Sequence, residues 1–487
     1  SQPLTVKSLT VRESLYPVTQ TGAFECSDER LNRIWQAGRL TLRLNMDDAY
    51  TDCPWRERAQ WWGDARTGAL VNYYAFGDRT LIARGLVQAS ESQDVEGIVK
   101  GVFPTDWTGD RLPSYSLLWI ISLWEYYLHT GDISVPGQML PVIAKVFQFA
   151  QTHTNTATGL LENVPYWVFI DWAPGMDGQR IGVSGSLNCF YYRALLAASD
   201  IAKSAGDTAA SALYANRAEA VKSAVNARLW DAQRGLYRDS LAVPNRYSRH
   251  VNTLAVLYGI APAASRSDIL TRMFRYPDVV PFGTPYFSSF HLEALYAVGR
   301  HSEALNLIRT QWGAMLDWGT PTFWEKWTPT DSLCHAWSTG PTRDLQAQWL
   351  GLTPTAPGWS EWRLSPVIND LTWAKGAVPT PKGTISASWT RGSNNLRMVF
   401  NVPANTVGHV RIPIAGLKNA RWYFGGAAKL PAGASLETES GYLSFRLTQA
   451  GSYDLLVRFA SAVRPIEDTA DNRLLHSSPA PAGAVSP

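Results

Sequence analysis

From about residue 28 to 350 apolar residues recur at three- and four-residue spacing, the period that gathers them on one face of an α-helix. Several of these runs stop at a glycine that can take the left-handed C-cap conformation. The stops are Gly77 after Tyr73-Tyr-Ala-Phe, Gly131 after Tyr126-Tyr-Leu-His-Thr, Gly206 after Ile201-Ala-Lys-Ser-Ala and Gly299 after Leu295-Tyr-Ala-Val. Helices that stop so regularly come in hairpins, so the chain reads as mainly α over this stretch. Between the helices lie Pro-, Gly- and Trp-rich loops at 101–116, 163–185, 276–290 and 313–342. Loops of that length inside a compact domain are more often functional than idle.

The flanks have another style. After Gly351-Leu-Thr-Pro-Thr-Ala-Pro-Gly358, alternation takes over in short runs: Ile385, Ala387 and Trp389; Leu396, Met398 and Phe400; Val410 and Ile412; Leu443 and Phe445; Leu455 and Val457. Short alternating strands separated by Gly, Pro and Asn predict an antiparallel sandwich. Leu4-Thr-Val-Lys-Ser-Leu-Thr-Val11 also alternates and reads as one or two strands, either the end of a further β domain or a partner of the C-terminal strands. The resulting division is 1–22 as an N-terminal strand and linker, 23–350 as the helical domain, 351–460 as the β domain and 461–487 as an extended tail. The chain starts at Ser1-Gln-Pro, without an initiator Met or signal peptide; the expectation is a processing product or a chosen boundary, and compartment stays open.

A chain of 487 residues can bury a core too large to need disulfide staples. The 44 Lys and Arg against 41 Asp and Glu leave +3, with no basic stripe to follow a phosphate backbone, so nucleic acid is not an expected partner. Nor is a membrane, since no stretch reaches the roughly 18 apolar residues a span needs; Leu117-Leu-Trp-Ile-Ile-Ser-Leu-Trp124 reads as a short buried helix. Cys26, Cys53, Cys189 and Cys334 lack the spacing of a zinc site and read as buried thiols, one bridge remaining open. No metal or cofactor is expected, and oligomeric state is left open. The 21 Trp are unusual. Most belong in a core, but flat rings also cover the C–H faces of sugars.

Residues 47–64 carry Asp47, Asp48, Asp52, Glu57 and Asp64, interleaved with Trp55, Arg56, Arg58, Trp61 and Trp62. A solvated loop is also rich in charge, and a structural ion-pair cluster remains an alternative. Three Trp among carboxylates and guanidinium groups is, however, what a ring with many hydroxyls requires. Cleaving a glycosidic bond takes two carboxyl groups, one to protonate the leaving oxygen and one to act on the opposite face. The second candidate is Glu325 in Gly319-Thr-Pro-Thr-Phe-Trp-Glu325-Lys-Trp327; its alternative is a helix-start Glu in a Trp-lined core. Ser332-Leu-Cys-His335-Ala-Trp337 adds a His and a Trp within reach of the same loop, although a lone His is more often structural. Asp106-Trp107 and Asp171-Trp172 each offer a carboxylate and a ring.

Asp52-Cys-Pro-Trp-Arg-Glu57-Arg-Ala-Gln-Trp61-Trp-Gly-Asp64 resembles the signature of the bacterial α-L-rhamnosidases of glycoside hydrolase family 78. The similarity extends from Tyr16-Pro-Val to the C-terminal strands, taking in Gly283-Thr-Pro-Tyr-Phe287, Trp324-Glu-Lys-Trp327 and Leu333-Cys-His-Ala-Trp337. The resemblance implies an (α/α)6 barrel of helical hairpins followed by a β-sandwich, and an inverting enzyme acting on terminal α-L-rhamnosyl residues of a carbohydrate substrate. It implies Glu57 as general acid and Glu325 as general base, with Asp52, Arg56, Trp61 and Asp64 on the rhamnose; by looser matching, Trp107, Trp172 and His335 line the same pocket. Family members usually carry β domains ahead of the barrel, where this chain has about 22 residues, so a narrower or different substrate range is expected. Ser114-Tyr-Ser116 stands where an acidic residue is expected, leaving one sugar contact unassigned.

Two other classes compete. A helical-barrel polysaccharide lyase would recruit Tyr50, Arg56 and Arg58 as base and neutralisers and release an unsaturated product. A non-catalytic sugar-binding protein would bind rhamnosides without turnover. Glu57→Gln and Glu325→Gln should each slow hydrolysis of an aryl rhamnoside by about 100-fold or more, the usual worth of a positioned acid or base; near-normal turnover in either variant removes that residue from its role.

Overall fold

A computed structural model describes residues 4–462 apart from 180, 243–245, 415–416 and 440. The helical pattern resolves into two kinds of helix. One kind is buried on nearly every side: Trp62–Ala75, Pro113–Thr130, Gly185–Ser204, Arg249–Leu257, Pro285–Ala297, and Gly340–Asp344 running on through a π-turn at Leu345–Trp349. The other kind is half-exposed and alternates with it along the chain: Glu29–Leu44, Thr80–Glu91, Leu140–Thr152, Thr208–Leu229, Arg266–Arg272 and His301–Leu307. A helix apolar all round must be covered all round, whereas an amphipathic one serves as cover. Consecutive buried helices touch one another, and the last touches the first. Leu117–Trp124 lies in one of them, as its apolar run predicts.

Local chemistry sets where these helices begin and end. The side chains of Asp28, Ser184, Asp207, Ser248 and Thr284 each accept from a backbone N–H in the first turn they precede, satisfying donors that a helix start leaves open. Gly77, Gly131, Gly206 and Gly299 all adopt the expected left-handed conformation, φ 72°, 74°, 87° and 78°. The long loops are shorter than expected, because Pro113 and Pro285 open helices. Proline without an N–H fits the first helical turn, where that donor is unused anyway. Ser114 and Ser116 are therefore not loop positions: they lie in a buried first turn and donate to the carbonyls of Phe169 and Val99, both at 2.6 Å.

Two sheets hold most C-terminal strands. The larger runs Ala23–Cys26, Trp373–Val378, Ile385–Arg391, Asn395–Val402, Gly451–Arg458, Arg421–Phe424; the other runs Ala434–Glu439, Tyr442–Leu447, Val407–Pro413, Glu361–Leu364, Leu352–Pro354. Across them Phe445 meets Trp422 and Phe424 edge-on, with centroids 5.5 and 5.1 Å apart. Three expectations need correction. Val407–Pro413 pairs in parallel with Glu361–Leu364, so the strands are not all antiparallel. Leu4–Val11 forms no strand, and its Leu4, Val6, Leu9 and Val11 are exposed: alternation makes a face, but a strand also needs an edge to pair with, and Ala23–Cys26 takes the edge of Trp373–Val378. The tail begins later than 461, because Ser461–Ala462 pairs with Leu417–Lys418; the rest of it, 463–487, lies outside the described residues. All four cysteines are free, three of them buried, and among the described residues no helix is long and apolar enough to cross a membrane.

Helices and sheet are joined by buried polar groups. Gln346 accepts from Trp35 Nε1 at 3.1 Å and donates to the carbonyls of Tyr74 and Ala377 at 3.2 and 2.8 Å, and Trp389 Nε1 donates to the Trp349 carbonyl at 2.8 Å. Gln346→Leu would leave a buried indole N–H and two carbonyls without partners, a cost of about 2–4 kcal/mol. Urea unfolding should show a correspondingly lower midpoint; an unchanged one would mean that the junction relaxes around the loss.

Candidate active site

The segment after Asp52 is folded back on itself by its own side chain. Asp52 Oδ1 accepts from Ala59 N at 2.9 Å while Asp52 N donates to the Ala59 carbonyl at 3.0 Å, closing a loop with Glu57 near its tip. The turn requires Arg58 in the left-handed region, φ 49°, which non-glycine residues seldom adopt outside sites that enforce it. Trp61 then caps the buried helix whose first turn carries Asp64. Gly63 is demanded by proximity, since a Cβ there would lie 2.6 Å from the Tyr115 hydroxyl.

Glu325 is not at a helix start. It sits in a loop tied to itself by Glu325 N to the Ser332 carbonyl (2.8 Å), His335 N to the Phe323 carbonyl (2.9 Å) and Trp337 Nε1 to the Glu325 carbonyl (3.0 Å). Ala336 N donates to the Asp52 carbonyl at 2.8 Å, binding the two distant segments together.

Together they line a cavity of about 360 Å³ that brings together the nine residues assigned to the site by the family resemblance: Asp52, Arg56, Glu57, Trp61, Asp64, Trp107, Trp172, Glu325 and His335. Arg56 Nη2 stands 2.8 Å from Glu57 Oε1 and 2.9 Å from Glu325 Oε2, and its Nη1 is 3.3 Å from Asp331. Trp61 Nε1 donates to the other Glu57 oxygen at 2.6 Å. The two legs to one nitrogen limit the nearest oxygens of the glutamates to about 5.7 Å apart. One wall is aromatic: Trp61, Trp107 and Trp167 meet edge to face with centroids 5.9–6.1 Å apart, Trp167 continues to Trp172 at 6.0 Å, and Phe169 stacks on Trp337 at 6.4 Å. The opposite side is carboxylate and imidazole. Asp64 is completely enclosed, and its carboxyl is raised well above the usual range by burial first and then by the charges of Glu57 and Glu325. His335, with Nε2 3.1 Å from Asp64 Oδ1, is pushed down to about 4 by burial, against the pull of Glu325 and Asp52. Both groups are therefore biased toward their neutral forms. Asp52 Oδ2, Asp64 Oδ1 and His335 Nδ1 are buried without hydrogen-bond partners, the condition in which a ligand's hydroxyls are worth most.

Several sequence candidates play other parts. Trp55 is 92% exposed, Asp47 pairs with Arg58 at 2.8 Å, and neither these nor Asp48 and Asp106 line the cavity. Asp171 offers nothing to a sugar: it is fully buried, accepting from Thr284 Oγ1 (2.6 Å), Gly283 N (2.7 Å) and facing His250 Nε2 (2.8 Å). It anchors the loop that carries Trp167, Phe169 and Trp172, and Gly283 is glycine because a Cβ would fall 1.7 Å from the Trp172 carbonyl. Tyr50, a candidate lyase base, is buried away from the cavity, its hydroxyl accepting from Asn72 at 2.6 Å. The sequence reading missed Leu112, Tyr115, Trp167 and Phe169 as lining residues; a Trp in the 163–185 loop was the available signal for Trp167, while Leu112 carries none. A wider cavity of about 1300 Å³ lies between helix Glu29–Leu44 and the larger sheet, but its charged lining is surface side chains such as Glu25 and Lys375, paired at 2.8 Å, and none of the sequence candidates reaches it.

Helical hairpins followed by a β-rich region, with two glutamates facing one aromatic cavity, define the class as six-hairpin glycosidase. Residues 19–348 match the model of the bacterial alpha-L-rhamnosidase 6 hairpin glycosidase domain, and 351–420 that of the bacterial alpha-L-rhamnosidase C-terminal domain. The chain belongs to the bacterial α-L-rhamnosidase family. It is 23% identical over 415 residues, 78% of its length, to the alpha-L-rhamnosidase of Alteromonas sp. (strain LOR), and it spans less than half the length of the curated relatives it matches. Among solved structures it resembles the GH78 family rhamnosidase of Bacillus sp. GL1, at 34% identity and TM-score 0.74, covering 78% of this chain and 41% of that one. It also shares the fold of the Streptomyces avermitilis alpha-L-rhamnosidase solved with L-rhamnose, at 20% identity and TM-score 0.76, covering 91% and 42%.

The neighbours Asp64 and His335 make opposite pH signatures. A His whose folded pKa is depressed gives stability that is present above its unfolded value near 6.5 and lost as pH falls toward about 4. A carboxyl whose folded pKa is raised gives stability present below about 3.8 and lost as pH rises through the folded value. Relative to the parent, His335→Gln should gain stability as pH falls from about 6.5 to 4, and Asp64→Asn should gain as pH rises. Denaturation midpoints across this range test the pair; curves that tilt the same way would contradict the assignment.

Proposed function

We propose that the cavity hydrolyses terminal α-L-rhamnosyl residues with inversion, on an (α/α)6 barrel followed by a β-sandwich. The closed order of contacts among the buried helices supports the barrel, and the ring contacts of Phe445 with Trp422 and Phe424 support the sandwich. The helical unit then ends near 350 and the β unit spans 351–462, with Ala23–Cys26 joined to it. One observation carries the activity: Glu57 and Glu325, from segments 268 positions apart in the sequence, face the same cavity and share the Arg56 guanidinium.

Rhamnose is a 6-deoxy sugar, with a methyl group and C–H faces for Trp61, Trp107 and Trp172 and hydroxyls for Asp52, Arg56, Asp64 and His335. The choice of sugar is supported by the relatives, one named alpha-L-rhamnosidase and one solved with L-rhamnose. Glu57, protonated, gives its proton to the glycosidic oxygen as the C1–O bond breaks. Glu325, ionised, takes a proton from a water whose oxygen bonds to C1 from the opposite face. An inverting pair stands roughly 6.5–9.5 Å apart to admit that water, more than the nearest oxygens allow while Arg56 clasps both. The reading therefore has Arg56, partly open to solvent, exchange the glutamate bridge for sugar hydroxyls when the ring enters. The lyase alternative loses its Tyr50 base to burial. Proton NMR of the first sugar released from an aryl α-L-rhamnoside should show the β-anomer ahead of mutarotation. First appearance of the α-anomer would mean retention, in keeping with a pair about 5 Å apart, and no release at all would favour the non-catalytic reading.

A further inference from the structure

Asp52 and Cys53 are consecutive, and the Ala336 N–H bond to the Asp52 carbonyl brings His335 beside them. Ligand-type atoms of the three side chains lie within 4.8 Å of one another, and all three residues are buried. Two of the groups are unfinished: Asp52 Oδ2 and His335 Nδ1 have no hydrogen-bond partner. Asp52 Oδ1 is held by Ala59 N at 2.9 Å, and His335 Nε2 lies 3.1 Å from Asp64 Oδ1, which leaves Nδ1 as the nitrogen for coordination.

From this geometry we infer a binding site for a borderline-soft divalent cation such as Zn²⁺, coordinated by the Asp52 carboxylate, the Cys53 thiolate and the His335 imidazole and open on its fourth side to the sugar cavity. The donor set is one oxygen, one sulfur and one nitrogen, suited to zinc or copper and poor for magnesium, which takes oxygen ligands. Bonds of about 2.0–2.3 Å in a tetrahedron place ligand atoms roughly 3.3–3.8 Å apart, so side-chain rotations of about an ångström close the site. Uptake exchanges the Cys53 S–H proton for the S–metal bond, and no oxidant or reductant is involved. Asp52 and His335 also line the cavity, so the ion and the sugar compete for the same groups. The consequence is reversible inhibition, competitive with substrate. The inhibitory arm rests on the proposed hydrolysis; the binding arm does not.

The test titrates the full chain, stripped with chelator, with Zn²⁺ in a calorimeter, with Mg²⁺ as the hard-ion comparison. Expected is one Zn²⁺ per chain, no Mg²⁺ uptake, and an affinity about 10-fold or more weaker in Cys53→Ser and when L-rhamnose saturates the cavity. Cys53→Ser should also turn over aryl rhamnoside at close to the parent rate and lose its sensitivity to Zn²⁺. Because that variant could fold poorly, Co²⁺ is added to the unmodified chain, where a thiolate-to-cobalt charge-transfer band is expected and should fade with L-rhamnose. Absence of the band, no saturable Zn²⁺ uptake, or uptake indifferent to both Cys53→Ser and L-rhamnose overturns the site. Zn²⁺ binding of the expected kind in a chain that releases no sugar would leave the metal site standing and count against the hydrolase reading alone.

Discussion

The site depends on one guanidinium. Arg56 touches Glu57, Glu325 and Asp331, and without a shared cation these three carboxylates would repel one another. A planar fork with several donors can satisfy carboxylates from different directions, which a lysine ammonium does less well. Around it, the bond from Ala336 N to the Asp52 carbonyl ties the segment that carries Glu57 to the segment that carries Glu325.

The scaffold explains why the parts meet at all. The segments that line the cavity lead into the starts of buried helices: Trp61 and Asp64 into Trp62–Ala75, Leu112 and Tyr115 into Pro113–Thr130, His335 and Trp337 toward Gly340–Asp344. Helix starts present unpaired N–H groups and the positive end of the helix dipole, a setting compatible with clustered carboxylates. Asp64 lies in such a first turn, yet its burial outweighs that help and drives its carboxyl toward the neutral form. The bias of both Asp64 and His335 toward their neutral forms lowers the charge on this side of the cavity, where Asp64 Oδ1 and His335 Nδ1 are buried without hydrogen-bond partners.

How much of this was legible in the sequence differs by element. The left-handed glycines act over a few positions and were readable one at a time. The acidic cluster was readable because three tryptophans among charges are unusual on a surface. Leu4–Val11 misled because alternation reports a face and not a partner. Asp171 misled because an Asp-Trp pair looks the same whether the carboxylate faces a ligand or, as here, Gly283, Thr284 and His250. Tyr115 and Phe169 were not singled out because their types are common in any core.

By itself, then, the sequence determined the helical period, its punctuation, the switch to alternating strands and the residue types of two short motifs, all of which are properties of near neighbours along a chain. Tertiary structure alone decided that Glu57 and Glu325 share one arginine, that Trp167 joins the wall, that Trp55 faces solvent and that Cys53 and His335 lie side by side. Those are distances between segments far apart in the chain, fixed by which buried helices close against which, and no local pattern encodes them.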